Sequence, residues 1–234
     1  GELQRWLTAD GQEDFYYDSN WGTLIGYPAS YGSNGFLNDH HFHYGYWVQA
    51  AAAVALRDPE WASEDQWGGM INLLIRDYAS PSRNDAMFPF LRNYDIYEGH
   101  SWASGNAMNP GGNNQESSSE AINSHAALIL WGELTGNDTI RDLGIFLYTN
   151  EVRAINNYYF DIHEDVFVDS YDHVVASLVW GSMYSYTTYF GGDAKFVHGI
   201  VLLPITPASI YLGMDPNYVQ RNYDQAYERS SLDV

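Results

Sequence analysis

Apolar positions along this chain gather into helical runs that arrive in pairs, each run closed by a breaker. From Asp39 the residues HHFHYGYWVQAAAAVALRD carry an alanine-rich second half, and Asp58-Pro59 supplies a stop, so a helix is expected over 40–57. A second run, WGGMINLLIRDYA, follows the short loop holding Pro59 and ends before Pro81. Glu116 to Leu134 reads as a helix stopped at Gly136, and Asp138 to Tyr159 as another, capped by Asn137 or Asp138. These two form a helical hairpin. Shorter helices are expected near 208–213 and 215–228, beyond Pro204 and Pro207.

Two stretches break this rhythm. The segment 80–114 is rich in Pro, Gly, Asn and Asp and carries His100 and Trp102; connections this long in a compact domain are usually functional or disordered, and the aromatic residues favour function. The stretch DIHEDVFVDSYDHVVASLVWGSMYSYTTYF mixes β-branched and aromatic residues with little helical period, so irregular chain with short strands is expected there. The pattern describes a mainly α domain built from αα-hairpins.

Composition narrows the function. A chain of 234 residues, 45% hydrophobic and 16% aromatic, buries a real core and makes one domain or two small ones. Its 20 Tyr and 8 Trp suit either an aromatic-rich core or a cleft in which flat rings cover sugar faces. Thirty acids against ten bases give a net charge of -20, which repels a nucleic acid and tolerates a neutral substrate. No run approaches the ~18 apolar residues of a membrane span, and GELQRWLTAD has neither the basic nor the apolar region of a secretory signal. With no cysteine, thiolate nucleophiles, disulfides and Cys-type zinc sites are all excluded.

Three acids stand out: Asp39 in LNDHHFHYGYW, and Glu116 and Glu120 in NNQESSSEA. Read as helix starts, Asp39 is an N-cap, and Glu116 and Glu120 share one face a turn apart, where like charges repel. Loops of Gly and Asn precede both, with His, Tyr, Trp and Ser around them, a set suited to a polar ligand. A glycosidase needs one carboxylic acid to protonate the leaving oxygen and one carboxylate to activate water or attack carbon. A helix dipole would keep Glu116 ionised as a base, while neighbouring carboxylates would hold a proton on Asp39. The cluster His40, His41 and His43 invites a metal site, but the spacing better suits a histidine packed on a catalytic acid. Ser117 to Ser119 lack a nucleophile elbow, and NPGGNN matches no phosphate-binding loop.

Taken together, LIGYPASYG, LNDHHFHYGYW, RNDAMFPFLRNYD, GHSWASG, GNNQESSSEAIN, LWGELTGN and IRDLGIFLYT, in this order, resemble the catalytic region of glycoside hydrolase family 81, the endo-β-1,3-glucanases. The resemblance implies a domain of the (α/α)6 toroid type. The helical runs here fall short of a full ring, so 1–234 is expected to be a partial catalytic domain. It further implies an inverting mechanism on laminarin-type β-1,3-glucan with no cofactor or metal, Asp39 as general acid, Glu116 as general base and Glu120 as a second essential acid. Tyr27, His43, His100 and Trp102, with Trp180 and His198, are the candidates for the sugar-binding shell. A secreted or cell-wall location follows from the same resemblance, and a non-catalytic glucan-binding relative is the alternative.

Overall fold

The computed structural model describes residues 1–8, 11–108 and 112–229, so part of the NPGGNN stretch lies outside the described residues. The fold is mainly α. A short helix α1 (Glu2–Leu7) leads into an antiparallel hairpin of β1 (Asp14–Asp18) and β2 (Thr23–Tyr27), neither of which the sequence pattern had suggested. Then come α2 (His40–Ala55) and α3 (Gly69–Ala79), joined through a one-turn π-helix at Glu64–Gly68, and later α4 (Ser118–Thr135) and α5 (Asp138–Ala154). The expected helix to Tyr159 continues past Ala154 only as a π-helical turn, Ile155–Tyr159.

Helix α4 packs against both α2 and α5, and α2 also packs against α3. The two middle helices are therefore enclosed on several sides. That is why α2 buries Tyr44, Val48, Ala51, Ala52 and Ala55, and α4 buries Ile122, Leu128 and Trp131, with no single apolar stripe. Close approach depends on small residues at the crossing. A Cβ added to Gly45 of α2 would stand 2.6 Å from the Ser124 Cβ of α4.

Ile122 turns away from this first core into a second one, with Val152, Ile155, Tyr159, Val175, Val197, Tyr211 and Tyr218. That second core brings the C-terminal third onto α4 and α5. It comprises β6 (Leu178–Trp180), β7 (Tyr184–Ser185), α6 (Ala194–Ile200), a 3₁₀ turn at Pro207–Gly213 and α7 (Pro216–Arg229). The short strands fall where irregular chain was expected; α6 was not foreseen. The long segment 80–114 is also ordered in part, as a hairpin of β3 (Tyr94–Asp95) and β4 (His100–Ser101) followed by β5 (Asn114–Gln115).

One boundary needs correction. Glu116 does not lie on a helix: Asn114 and Gln115 pair with Trp180 and Val179 of β6, and α4 begins only at Ser118, after the N-cap Ser117. The backbone groups just before Glu116 are committed to a sheet, so the supposed shared helical face of Glu116 and Glu120 does not exist.

Candidate active site

Asp39 sits at the N-cap of α2 but does not cap it. Its φ of 59° places it in the left-handed region, whereas a capping side chain needs an extended backbone, and no side-chain cap bond forms. Leu37, two residues earlier and buried, is also left-handed at φ 51°. Such backbone is uncommon away from glycine and recurs at functional sites. The carboxyl is instead held by Asn38, whose Nδ2 donates to Oδ2 at 2.8 Å and to the Tyr31 carbonyl at 3.2 Å. The backbone fixes the residue as well: Asp39 N–H donates to the Ala103 carbonyl at 2.8 Å, and Ala103 N–H to the Asn114 carbonyl at 2.7 Å. Three segments distant in sequence are thus laced side by side, ending two residues before Glu116.

Asp39, Glu116 and Glu120 line one open cleft of about 640 Å³, with His43, Asn38, Ser104 and the rings of Tyr31, Phe36, Phe42, Tyr189 and Phe190. Glu116 Oε1 accepts the backbone N–H of Tyr189 at 2.6 Å, and Glu120 Oε1 accepts the Tyr46 hydroxyl at 2.8 Å. Tyr189 and Phe190 occupy a tight turn closed by reciprocal bonds between Thr188 and Gly191, and both rings remain exposed. Also lining the cleft, His43 stacks on Tyr31 with ring centroids 3.8 Å apart and planes 5° from parallel.

The electrostatics separate the acids. Burial first, and then the charges of Glu120 and Glu116, push the Asp39 pKa up to about 7 against a weaker opposing effect of His40. Burial also raises the Glu116 pKa above the ordinary carboxylate value, with Glu120 adding to it and the Tyr189 N–H working against it. The helix dipole invoked for Glu116 is replaced by this single backbone donor. His43 is held below its usual value, chiefly by burial, so a neutral imidazole faces the cleft at pH 7.

The remaining residues singled out in the sequence lie elsewhere. His100 is buried, with Nδ1 bonded to the Ser101 carbonyl, and packs edge-on against Trp102. Trp102 donates Nε1–H to Asp95 and faces a separate hollow with Tyr97. His198 is buried between Tyr186 and Asn222, Trp180 belongs to β6 and Tyr27 is exposed at the end of β2; none of the three lines the cleft. His40 is tied to Asp77 at 2.7 Å and to the Ser33 carbonyl, and His41 is buried, so the three neighbouring imidazoles diverge. Among the described residues no group of His, Asp and Glu is arranged to hold a metal ion. Sequence reasoning missed Tyr31, Tyr46, Tyr189 and Phe190. For the last two, the signal was the pair of glycines that follows them, a turn marker inside an aromatic stretch.

A carboxyl group whose pKa is raised to about 7, with two further carboxylates and several aromatic rings lining the same cleft, is an arrangement suited to acid–base chemistry. The family model of the glycosyl hydrolase family 81 C-terminal domain matches residues 1–234. The chain is 62% identical over 226 residues to a glucan endo-1,3-beta-D-glucosidase of Acetivibrio thermocellus, a match covering 95% of this chain and 29% of that protein. It is 46% identical over 220 residues to a protein of the same name from Thermobifida fusca, covering 93% and 29%. A primary septum glucan endo-1,3-beta-D-glucosidase of Schizosaccharomyces pombe is 36% identical over 210 residues, covering 87% and 21%. A solved glycoside hydrolase family 81 structure from Clostridium thermocellum matches with a TM-score of 0.94 at 60% identity, over 98% of this chain and 33% of that one. The chain belongs to glycoside hydrolase family 81, and it spans a third or less of the length of these relatives.

Proposed function

We propose that this chain carries the acid–base machinery of an endo-1,3-β-glucanase and hydrolyses laminarin-type β-1,3-glucan with inversion at the anomeric carbon. The observation that carries the reading is the convergence of Asp39, Glu116 and Glu120 on one cleft, with the proton retained on Asp39. The names of the relatives support the substrate class. In this reading Asp39 donates its proton to the glycosidic oxygen as the bond to the anomeric carbon breaks. Glu116 accepts a proton from a water that attacks from the opposite face, and Glu120, held by Tyr46, helps to position that water. The step needs only water, so no cofactor or metal enters it.

The sugar-binding shell in this reading is His43 stacked with Tyr31, together with Tyr189 and Phe190. Trp102, facing its own hollow, would meet glucan only beyond the cleft. The septum enzyme among the relatives supports action on cell-wall glucan outside the membrane, and no helix among the described residues is long and apolar enough to cross one. Release of reducing ends from laminarin by the full-length protein tests the reading. Glu116→Gln should keep glucan binding and lose ~10²–10⁴-fold in turnover, since an amide takes no proton from water. An unchanged turnover would overturn the proposal, and binding without any release from the native protein would leave a glucan-binding module.

A further inference from the structure

Outside the residues that line the cleft lies a fully buried carboxylate that the proposed reaction does not use. Glu151 of α5 has no solvent exposure, and four donors converge on it. Oε1 accepts from Ser101 Oγ at 2.8 Å and from Gln115 Nε2 at 3.3 Å, while Oε2 accepts from Ser101 N–H at 3.1 Å and meets His125 Nε2 at 2.7 Å. Gln115 Nε2 also donates to Ser101 Oγ at 2.7 Å and stands 3.5 Å from His41 Nε2. Burial pushes the Glu151 pKa up, but the bond and charge of His125, the charge of His100 and the Ser101 hydroxyl together hold it below the ordinary value.

The positions of these partners matter more than their number. Gln115 is the residue directly before Glu116. Ser101 stands two residues before Ala103, whose carbonyl receives the Asp39 N–H and whose own N–H binds Asn114. His41 follows Asp39 by two residues. One carboxylate therefore grips the residue directly before the base and, through Ser101, the segment to which the acid is laced, and it does so from a helix whose residues do not line the cleft. A buried ion with every lone pair engaged is costly to strand without partners, so these distances are tightly held.

We infer that Glu151 is a positioning residue that sets the spacing of Asp39 and Glu116 across the cleft. The inference rests on the acid–base reading proposed above. Displacing reacting groups by about 1 Å can cost ~10²-fold in rate. Glu151→Gln in the full-length protein is therefore expected to lower kcat on laminarin by at least ~10-fold, with KM and the calorimetric affinity for a laminarin oligosaccharide within about 2-fold of native. Ser101→Ala, which removes the bridging hydroxyl and leaves the Glu151–His125 pair intact, is expected to give a smaller loss of the same kind. It keeps the inference testable if the first variant does not fold.

A merely structural residue would lower the melting temperature and leave kcat of the folded protein unchanged. Native kcat in folded Glu151→Gln, or in Ser101→Ala should the first variant not fold, beside an inactive Glu116→Gln, would overturn this inference and leave the proposed function standing. A loss of kcat accompanied by an equal loss of affinity would also overturn it. Full activity of Glu116→Gln would remove the reading on which the inference rests.

Discussion

The backbone N–H of Tyr189 lies 2.6 Å from Oε1 of Glu116, so a tight turn in the C-terminal third fixes a carboxylate in the middle of the chain. The turn places its two rings on the cleft wall by the same geometry. Tyr189→Ala keeps the N–H and removes only the ring. It should raise KM for laminarin roughly 3–10-fold, as expected for one aromatic contact of about 0.5–1.5 kcal/mol, with kcat little changed. Steady-state kinetics on the full-length protein separate the two parameters, and a fall in kcat at constant KM would count against a binding role.

The pH profile should be bell-shaped. With Asp39 as the proposed acid, the upper limb is expected at its pKa of about 7, above which the proton needed by the leaving group is lost and kcat/KM should fall tenfold per pH unit. With Glu116 as the proposed base, the lower limb should lie above the ordinary carboxylate value, because burial raises it. Glu120 is one of the charges that keep Asp39 protonated, so Glu120→Gln should move the upper limb to lower pH. An upper limb that stays in place in that variant would show that Glu120 does not act on the acid.

The same shift has a stability consequence. The folded-state pKa of Asp39 is raised above its unfolded value of 3.8, so the native state binds this proton more tightly and folding stability declines as pH rises from about 4 through about 7. Asp39→Asn removes the group that must ionise in the fold. It should raise the melting temperature at pH 8 by at least ~2–4 °C, the effect of about 1 kcal/mol in a domain of this size, and should have no such effect at pH 4. Equal shifts at both pH values would place the effect outside ionisation.

The crossing of α2 and α4 offers a test of the frame that carries the site. Gly45→Ala would drive a methyl to within 2.6 Å of Ser124 Cβ and Oγ. Forcing these central helices apart should cost about 1–3 kcal/mol, readable as a fall in the denaturation midpoint with an unchanged slope.

What could be read from the sequence follows the range of the interactions that decide it. Alanine runs, Pro59, Pro81 and Gly136 act locally, and the helices they bound, α2 to α5, were legible to within a few residues. Glu116 does not join a helix because the strand just before it is created by pairing of Asn114 and Gln115 with Trp180 and Val179, some sixty residues later. The cleft wall at Tyr189 and Phe190 was invisible for the same reason. Asp39 could be chosen for its neighbours, yet its left-handed backbone, which frees the carboxyl from capping, depends on the turn through Leu37 and on Ala103. Helical spacing and the family resemblance placed His43 with the acids and did not say where His100, Trp102, Trp180, His198 and Tyr27 point. Nothing local distinguishes a ring facing a cleft from one facing a core or a separate hollow.

The measurement that bears most directly on the central claim is the anomeric configuration of the first product. If Asp39 protonates the leaving oxygen while Glu116 drives water in from the opposite face, the first-formed reducing end from a β-1,3-glucan is the α-anomer. Proton NMR of the earliest minutes of laminarin hydrolysis by the full-length protein reads this before mutarotation mixes the anomers. An initial α-anomer signal that decays towards equilibrium is the expected result. A β-anomer appearing first would contradict the account, because it would require a glutamate of this cleft to attack the sugar itself.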